Sequence, residues 1–344
     1  MLDLPVDIKK VLQSDSLPDY EYLFDILIQV TSVLDKENTS YRQLASDGET
    51  LGGLIEFNDN LPMIVLPDLH ARYDFLQNLL TYKIYKKANI PGITKATSVY
   101  QALKKGLINV VCVGDAIHTE KNTVLRWEKA HEDFVKGKKT GKYMCQEMKD
   151  CFNTLLCLML LKIKFPKHFH FLKGNHENIT NKSENGDFGF RKYADEGRMV
   201  RDFIREYYGD DILYLISCYE DALPLIVSSP YCVISHAEPL MAFSKQQLID
   251  ARLEEKVVES LTWTRNNQAE DGSVLQIIKN LFADKNWNPE NAIYLAGHRP
   301  VENKYNLRQN GLFVQFHNPC EQNIAIIYNN RPFNPEEDII GVEK

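Results

Sequence analysis

The sequence predicts an α/β layered fold, and three observations carry the prediction. Short, apolar, β-rich runs alternate with amphipathic helical patterns, the order that sheets layered with helices require. The runs are almost continuously apolar, which is what strands covered on both faces look like. Run after run also stops abruptly on aspartate, asparagine or histidine, in "LPDLH", "CVGD", "KGNHE", "ISHAE" and "LAGH".

The elements follow in chain order. Residues 1 to about 48 are polar with helical periodicity, as in "YEYLFDILIQVTSVLDKE", and are expected to form an N-terminal helical extension. From "LGGLIEF" onward the pattern changes, and residues 49–344 are expected to form one catalytic domain without repeats or a long linker. The runs "MIVLPD" and "NVVCVGD" are separated by the helix pattern "YDFLQNLLTYKIYKK", residues 73–87. A charged insertion over about 119–147, with the tip "KGKKTGK", reads as a solvated segment or as a lid over a neighbouring site. The helix pattern "CQEMKDCFNTLLCLMLLKIK" then leads into "FHFLKGN", and "YCVISHAE", "AIYLAGH", "GLFVQFHN" and "NIAIIYNN" complete the series.

Composition narrows the function. With 44% apolar and 25% charged residues among 344, the chain is expected to fold as a globular enzyme. A net charge of −7 argues against a general nucleic-acid surface. The first residues carry no secretory pattern, and the longest apolar run, Leu155 to Leu161, falls far short of the roughly 20 residues of a membrane span. Neither nucleic acid nor membrane is an expected partner. Seven cysteines without a C-x-x-C pair read as buried free thiols, which suits a reducing, cytoplasmic setting.

In open α/β sheets, ligands bind beyond the carboxyl ends of the strands. Those ends here carry Asp68, His70, Asp115, Asn175, His176, His236 and His298. Taken singly, Asp115 reads as a helix cap, Asn175 as a turn residue and each histidine as a satisfied core group. Taken together they are oxygen and imidazole donors without a thiolate, a set that suits manganese, iron or zinc better than soft copper. Two such ions against the carboxylates of Asp68 and Asp115 leave a positive centre, suited to a bridging hydroxide and an anionic substrate.

"PDLHARYDFLQNLL", "VGD", "LKIKFPKHFHFLKGNHE", "ISHAEP" and "AGHRPV" together resemble the calcineurin-like metallophosphoesterases, over about Leu61 to Tyr328. The stretch Met148 to Glu177, and "FGFRKYADEG" followed by "YEDALPLIVSSPYCVISHAEP", are similar to the Ser/Thr protein phosphatase branch. The resemblance implies a β-sandwich of two mixed sheets flanked by helices, with a dinuclear centre along one rim. It implies that Asp68, His70 and Asp115 hold a first metal, and that Asp115 bridges to a second held by Asn175, His236 and His298. It implies His176 as the general acid. Phosphodiesterase-type members carry GHxH at the last motif, whose second histidine serves the first metal; here Pro300 stands there, as in the protein-phosphatase branch.

The departures concern substrate and proton transfer. Pro67 and Ala71 replace the two glycines of the family's GDxHG motif. Where the family reads GDxVDRG, this chain has "GDAIHTE", so His118 takes the place of the aspartate that orients the acid, and Thr119 that of a phosphate-gripping arginine. His118 is therefore a second candidate proton donor, with Glu177 or Glu238 as candidates to orient His176. Arg299, then Arg72, then Arg265 are candidates for the lost phosphate contact. Glu238 in place of a glycine argues against polyphosphates. His317, in "VQFHNPC", is read as a loop cap, with a rim contact to substrate as the alternative. The implied activity is a metal-dependent phosphoric monoester hydrolase acting on a phosphoprotein or a small phosphate ester. The alternatives are a nucleotide-cleaving phosphodiesterase or dinucleoside polyphosphate hydrolase, and an inactive scaffold, which the complete donor set argues against.

Overall fold

The computed structural model describes residues 4–84, 90–121 and 123–342. Its strands run in chain order as β1 Leu54–Glu56, β2 Met63–Leu66, β3 Asn109–Cys112, β4 Phe169–Phe171, β5 Ile226–Ser229, β6 Cys232–Ser235, β7 Ile293–Ala296, β8 Asn306–Arg308, β9 Phe313–Gln315, β10 Asn323–Ile327 and β11 Ile339–Gly341. They form two mixed sheets. One has the order β1-β5-β6-β7-β9-β8 and the other β11-β10-β2-β3-β4.

Helices cover both outer faces. α1 Val6–Leu12 and α2 Tyr20–Asp35 precede the sheets, and α3 Tyr73–Thr81 and α4 Val99–Lys104 connect β2 to β3. α5 Val124–Val135 and α6 Lys142–Lys164 connect β3 to β4; α7 Glu196–Tyr208 and α8 Asp210–Ala222 follow β4. α9 Lys245–Ile249, α10 Glu255–Trp263 and α11 Ser273–Phe282 lie between β6 and β7, and α12 Pro335–Asp338 precedes β11. The helix expected over 73–87 ends at Thr81; its positions 85–87, like position 122 of the insertion, lie outside the described residues.

The period of two along each strand explains the nearly unbroken apolar runs. Met63 and Val65 of β2, Val111 of β3, Ile234 of β6 and Leu295 of β7 meet between the sheets. The alternate residues Ile64, Leu66, Val110 and Cys112 join the core under the helices, and Val233, Tyr294 and Phe313 pack under α9 to α11. The strands that lead to the rim thus bury both faces.

Direction decides where the site lies. β2, β3 and β4 pair in parallel, as do β6, β7 and β9. Six carboxyl ends therefore open on one rim, three from each sheet.

Residues 4–48 are packed into the domain. α1 packs on α6, and α2 packs between α6 and α8, all within one apolar core. Glu37, just past α2, lies in a buried polar knot. It accepts from Arg42 (2.6 Å) and from the Lys162 ammonium of α6, with His170 Nδ1 of β4 at 3.4 Å. Arg42 also donates to the carbonyls of Gly52 (2.7 Å) and Ala222 (2.9 Å). Burial alone would raise the Glu37 carboxyl, but Lys162, His170 and Arg42 hold it far below the usual carboxylate range. Glu37→Gln is expected to cost about 3–5 kcal/mol at neutral pH, because it strands two buried cations. A depressed folded pKa makes that contribution complete above the carboxyl's ordinary 4.5 and lost as pH falls below it. Denaturant unfolding should therefore show the gap between wild type and variant narrowing towards pH 3.

Candidate active site

The rim is built under backbone strain. His70 (φ 45°), Ala71 (58°), Asp115 (54°), His118 (74°) and His298 (62°) all occupy the left-handed region that non-glycine residues avoid. Such strain collects where a side chain must be aimed, and the surrounding bonds hold it in place. The Glu177 carboxylate accepts the N–H groups of Asp115 (2.8 Å), Ala116 (2.9 Å) and Gly174 (2.7 Å), tying the turns after β3 and β4 together. Two glycines are fixed by contact. A Cβ on Gly114 would meet the Gly174 nitrogen at 2.6 Å, and one on Gly297 would run into the Asp68 carboxylate.

Each aspartate divides its oxygens. Asp68 Oδ1 accepts the His298 N–H (3.1 Å), while Oδ2 is buried and unpartnered. Asp115 Oδ1 accepts the His176 N–H (2.9 Å). Its Oδ2 lies 3.6 Å from His70 Nε2, 3.6 Å from His236 Nε2 and 3.8 Å from His176 Nε2. One donor set thus gathers Asp68 Oδ2, His70 Nε2 and Asp115 Oδ2. The other gathers Asp115 Oδ2, His236 Nε2, Asn175 Oδ1 and His298 Nδ1, the last three within 2.9–3.1 Å of one another. The structure brings together all six residues proposed as ligands, around one shared carboxylate oxygen.

The chemistry of these atoms fits cations. His70 Nδ1–H donates to the His118 carbonyl (3.0 Å) and His236 Nδ1–H to the Val113 carbonyl (3.1 Å). Backbone acceptors of this kind fix the tautomer and leave each Nε2 as a lone pair facing inward. His236 Nε2 and Asn175 Oδ1 are then two acceptors only 2.9 Å apart. Burial pushes His70 and His236 down to about 3. Burial, then neighbouring imidazoles, takes His298 well below its ordinary value. Burial, with Asp68 and Glu177 nearby, pushes the Asp115 carboxyl well above its own. Neutral imidazoles and crowded carboxyls without a countercharge are what a cation would relieve.

The site opens into a cavity of about 330 Å³. His176 stands on its wall, with Phe190 stacked against its ring (centroids 4.2 Å apart). Arg299, half-buried, and Arg265, exposed, also line it, and among the described residues neither has a carboxylate partner within 4 Å. Arg191 and Lys192 approach from the opposite loop.

Several expectations need correction. Arg72 does not offer its guanidinium to this cavity. It donates to the carbonyls of Leu69, Asn318, Glu321 and Asp68 at 2.6–3.1 Å, so its fork is spent on tying the loop after β2 to that after β9. His118 does not reach the cavity and has no path to a leaving group. It is fully buried behind His176 (centroids 4.9 Å apart) and against Trp127 (5.0 Å). Neither Glu177 nor Glu238 orients His176: the first holds the backbone turns, and the second pairs with Arg308 and Gln309. Thr119 turns inward to Glu147 (2.5 Å). The insertion is not a loose solvated segment: α5 packs on α6 and α7 with Trp127 buried, and of its described residues Glu120 lines the cavity.

Two residues went unassigned in the sequence, and a third, His317, was read as a loop cap. Glu196 Oε1 lies 3.6 Å from His118 Nε2, and against burial this proximity and the Lys192 and Tyr193 N–H groups hold the carboxyl at about 2. Glu120 sits 3.5 Å from His70 Nε2 and 3.3 Å from His317 Nε2, with Lys192 as its counter-ion. His317 is buried beside His70 (ring centroids 5.3 Å apart), where a loop cap had been expected. The available signal was position: "FHN" also ends a strand-like run.

No family model matches the sequence, and no curated protein does. Solved structures do match. A protein serine/threonine phosphatase from Saccharomyces cerevisiae, with similarity to human phosphatase PP5, aligns at a TM-score of 0.56 and 13% identity, covering 98% of this chain and 95% of that one. A cold-active protein-tyrosine phosphatase of a psychrophilic Shewanella aligns at a TM-score of 0.39 and 12% identity, covering 88% of this chain and 86% of that one. At such identities the likeness is one of architecture. Two mixed sheets flanked by helices, with the motifs in their order along one rim, have the fold of the calcineurin-like metallophosphoesterases.

Proposed function

We propose that the protein is a metal-dependent phosphoric monoester hydrolase. The observation that carries this is the pair of donor sets sharing Asp115 Oδ2 and opening into a cavity lined by two unpaired arginines. Asp68, His70 and Asp115 would hold one ion, and Asp115, Asn175, His236 and His298 the other. When bound, two transition metals such as manganese, iron or zinc activate water as a nucleophile near neutral pH and offset charge on the phosphoryl oxygens.

The chain's own residues supply the rest. Burial, with Arg265 next to it, lowers Arg299 from its usual value, and two adjacent cations of this kind gain most by gripping an anion. His176 Nε2 faces the shared carboxylate and is the nitrogen placed to deliver a proton to a leaving alkoxide. Burial first, then His118 and His70, hold this ring well below its ordinary value. The protonated form expected from sequence therefore depends on substrate, whose negative charge raises the proton affinity of the imidazole. Phe190 and His118 restrict its rotation.

Phosphoprotein and small phosphate esters are both compatible with an open cavity of this size. One feature favours a second reading, a nucleotide-cleaving hydrolase: the Trp263 ring lines the same cavity and offers a surface to a base. Seven free cysteines suit a reducing compartment such as the cytoplasm, and among the described residues no helix is long and apolar enough to cross a membrane.

Protein loaded with Mn²⁺ should hydrolyse an aryl phosphate faster than an aryl phosphodiester. The reverse order would favour the second reading, and no turnover on either with two metals bound would favour a scaffold. Asp115→Asn should lose both metal retention and turnover; substantial retained activity would refute the shared ligand. Arg299→Ala should raise KM about tenfold or more with a smaller change in kcat. His176→Asn should steepen the dependence of rate on leaving-group pKa, whereas His118→Asn should lower the rate less and more evenly across leaving groups. Equal steepening by both variants would count against His176 as the donor.

A further inference from the structure

β9 lies next to β7 in parallel register, Ala296 opposite Gln315. Two residues further on, each strand delivers a histidine to the rim at the same level, His298 from β7 and His317 from β9. The His317 ring is not needed to close the loop, because its backbone carbonyl already accepts the Val301 N–H (2.8 Å). The ring is 1% exposed, and its Nδ1 has no hydrogen-bond partner.

The surroundings of the two ring nitrogens differ in kind. Nε2 lies 3.3 Å from Glu120 Oε2. The Glu120 carboxylate, ion-paired with Lys192, can only accept, so Nε2–H is the donor. That assignment leaves Nδ1 as a lone pair. It lies 3.9 Å from Asp68 Oδ2, which is likewise buried without a hydrogen-bond partner. This is too long for a hydrogen bond. It is within the span of two ligands on one ion, at most about 4.2 Å for bonds of about 2.1 Å each. His70 Nε2 stands at the same 3.9 Å from the same oxygen, and the ligand atoms of Asp68, His70 and His317 all lie within 4.8 Å of one another. A carboxylate bonded to the far nitrogen of a histidine is the usual support for a metal-ligating imidazole.

Resting on the metal-centre reading above, we propose that His317 Nδ1 is a further protein ligand of the first metal, with Glu120 as the residue that positions it. The last motif has Pro300 where a second histidine would stand. The neighbouring strand fills that coordination position instead, so Asp68, His70, Asp115 and His317 surround the first ion. Each metal position would then have four protein groups, with Asp115 common to both.

Metal-depleted full-length protein titrated calorimetrically with Co²⁺ alone tests this, with visible absorption recorded alongside. Wild type should take up two equivalents. His317→Ala should keep one affinity and weaken the other by about 100-fold, with loss of that site's spectrum. Glu120→Gln should weaken the same site by about 10–100-fold. Unchanged affinities and spectrum in His317→Ala, with wild type still binding two ions, would overturn the ligand role and leave the six-residue centre standing. No uptake by wild type would overturn the metal reading beneath both. Should His317→Ala fail to fold, anomalous diffraction from Co²⁺-loaded wild type decides. An ion within about 2.3 Å of Nδ1 supports the assignment, and one beyond bonding distance sinks it.

Discussion

A single carboxylate oxygen, Asp115 Oδ2, faces two groups of donors at once, and much of the rim is arranged to keep it there. Its partner oxygen is pinned by the His176 N–H, its own N–H by Glu177, and its backbone sits in a conformation that no unconstrained aspartate prefers. The carboxyl is driven well above its ordinary value by burial, Asp68 and Glu177. Holding such a group in place costs free energy, and the fold accepts that cost where it does chemistry. The sheets supply rigidity, and the turns carry the strain.

Much of this was legible beforehand because of how strands end. A strand buried on both faces has no freedom to place polar groups until it leaves the sheet, so "LPDLH", "CVGD" and "KGNHE" announced their purpose by where the apolar run stopped. Parallel pairing then placed those ends on one rim. Asp68, Asp115, Asn175, His236 and His298 could be proposed as neighbours on that ground alone. The glycines in "VGD" and "LAGH" also had a reason visible only in space, since backbone and carboxylate pass where a side chain would stand.

What was not legible depends on side-chain direction. Arg72 and Arg299 each follow a proposed ligand histidine closely in sequence, yet one guanidinium is spent on backbone carbonyls and the other faces the cavity. His118 occupies the place of a carboxylate, and the missing acid arrives from α7 as Glu196, 78 residues later in the chain. No local pattern encodes that pairing. The first 48 residues were read as a helical extension, and what no helical pattern could show is that Arg42 and Glu37 join it to β4, α6 and α8.

Asp68, His70, Asp115 and Asn175 leave one sheet, whereas His236, His298 and His317 leave the other. The centre therefore straddles the seam of the sandwich. An ion seated there would add to the bonds that already cross the seam, from His236 Nδ1–H to Val113 and from the His298 N–H to Asp68, so part of its binding energy would be cohesion between the sheets. Loading and unfolding would then be a single coupled equilibrium. With the proposed centre filled, a chelator would do more than silence the chemistry: it would draw the rivet from the two halves of the molecule.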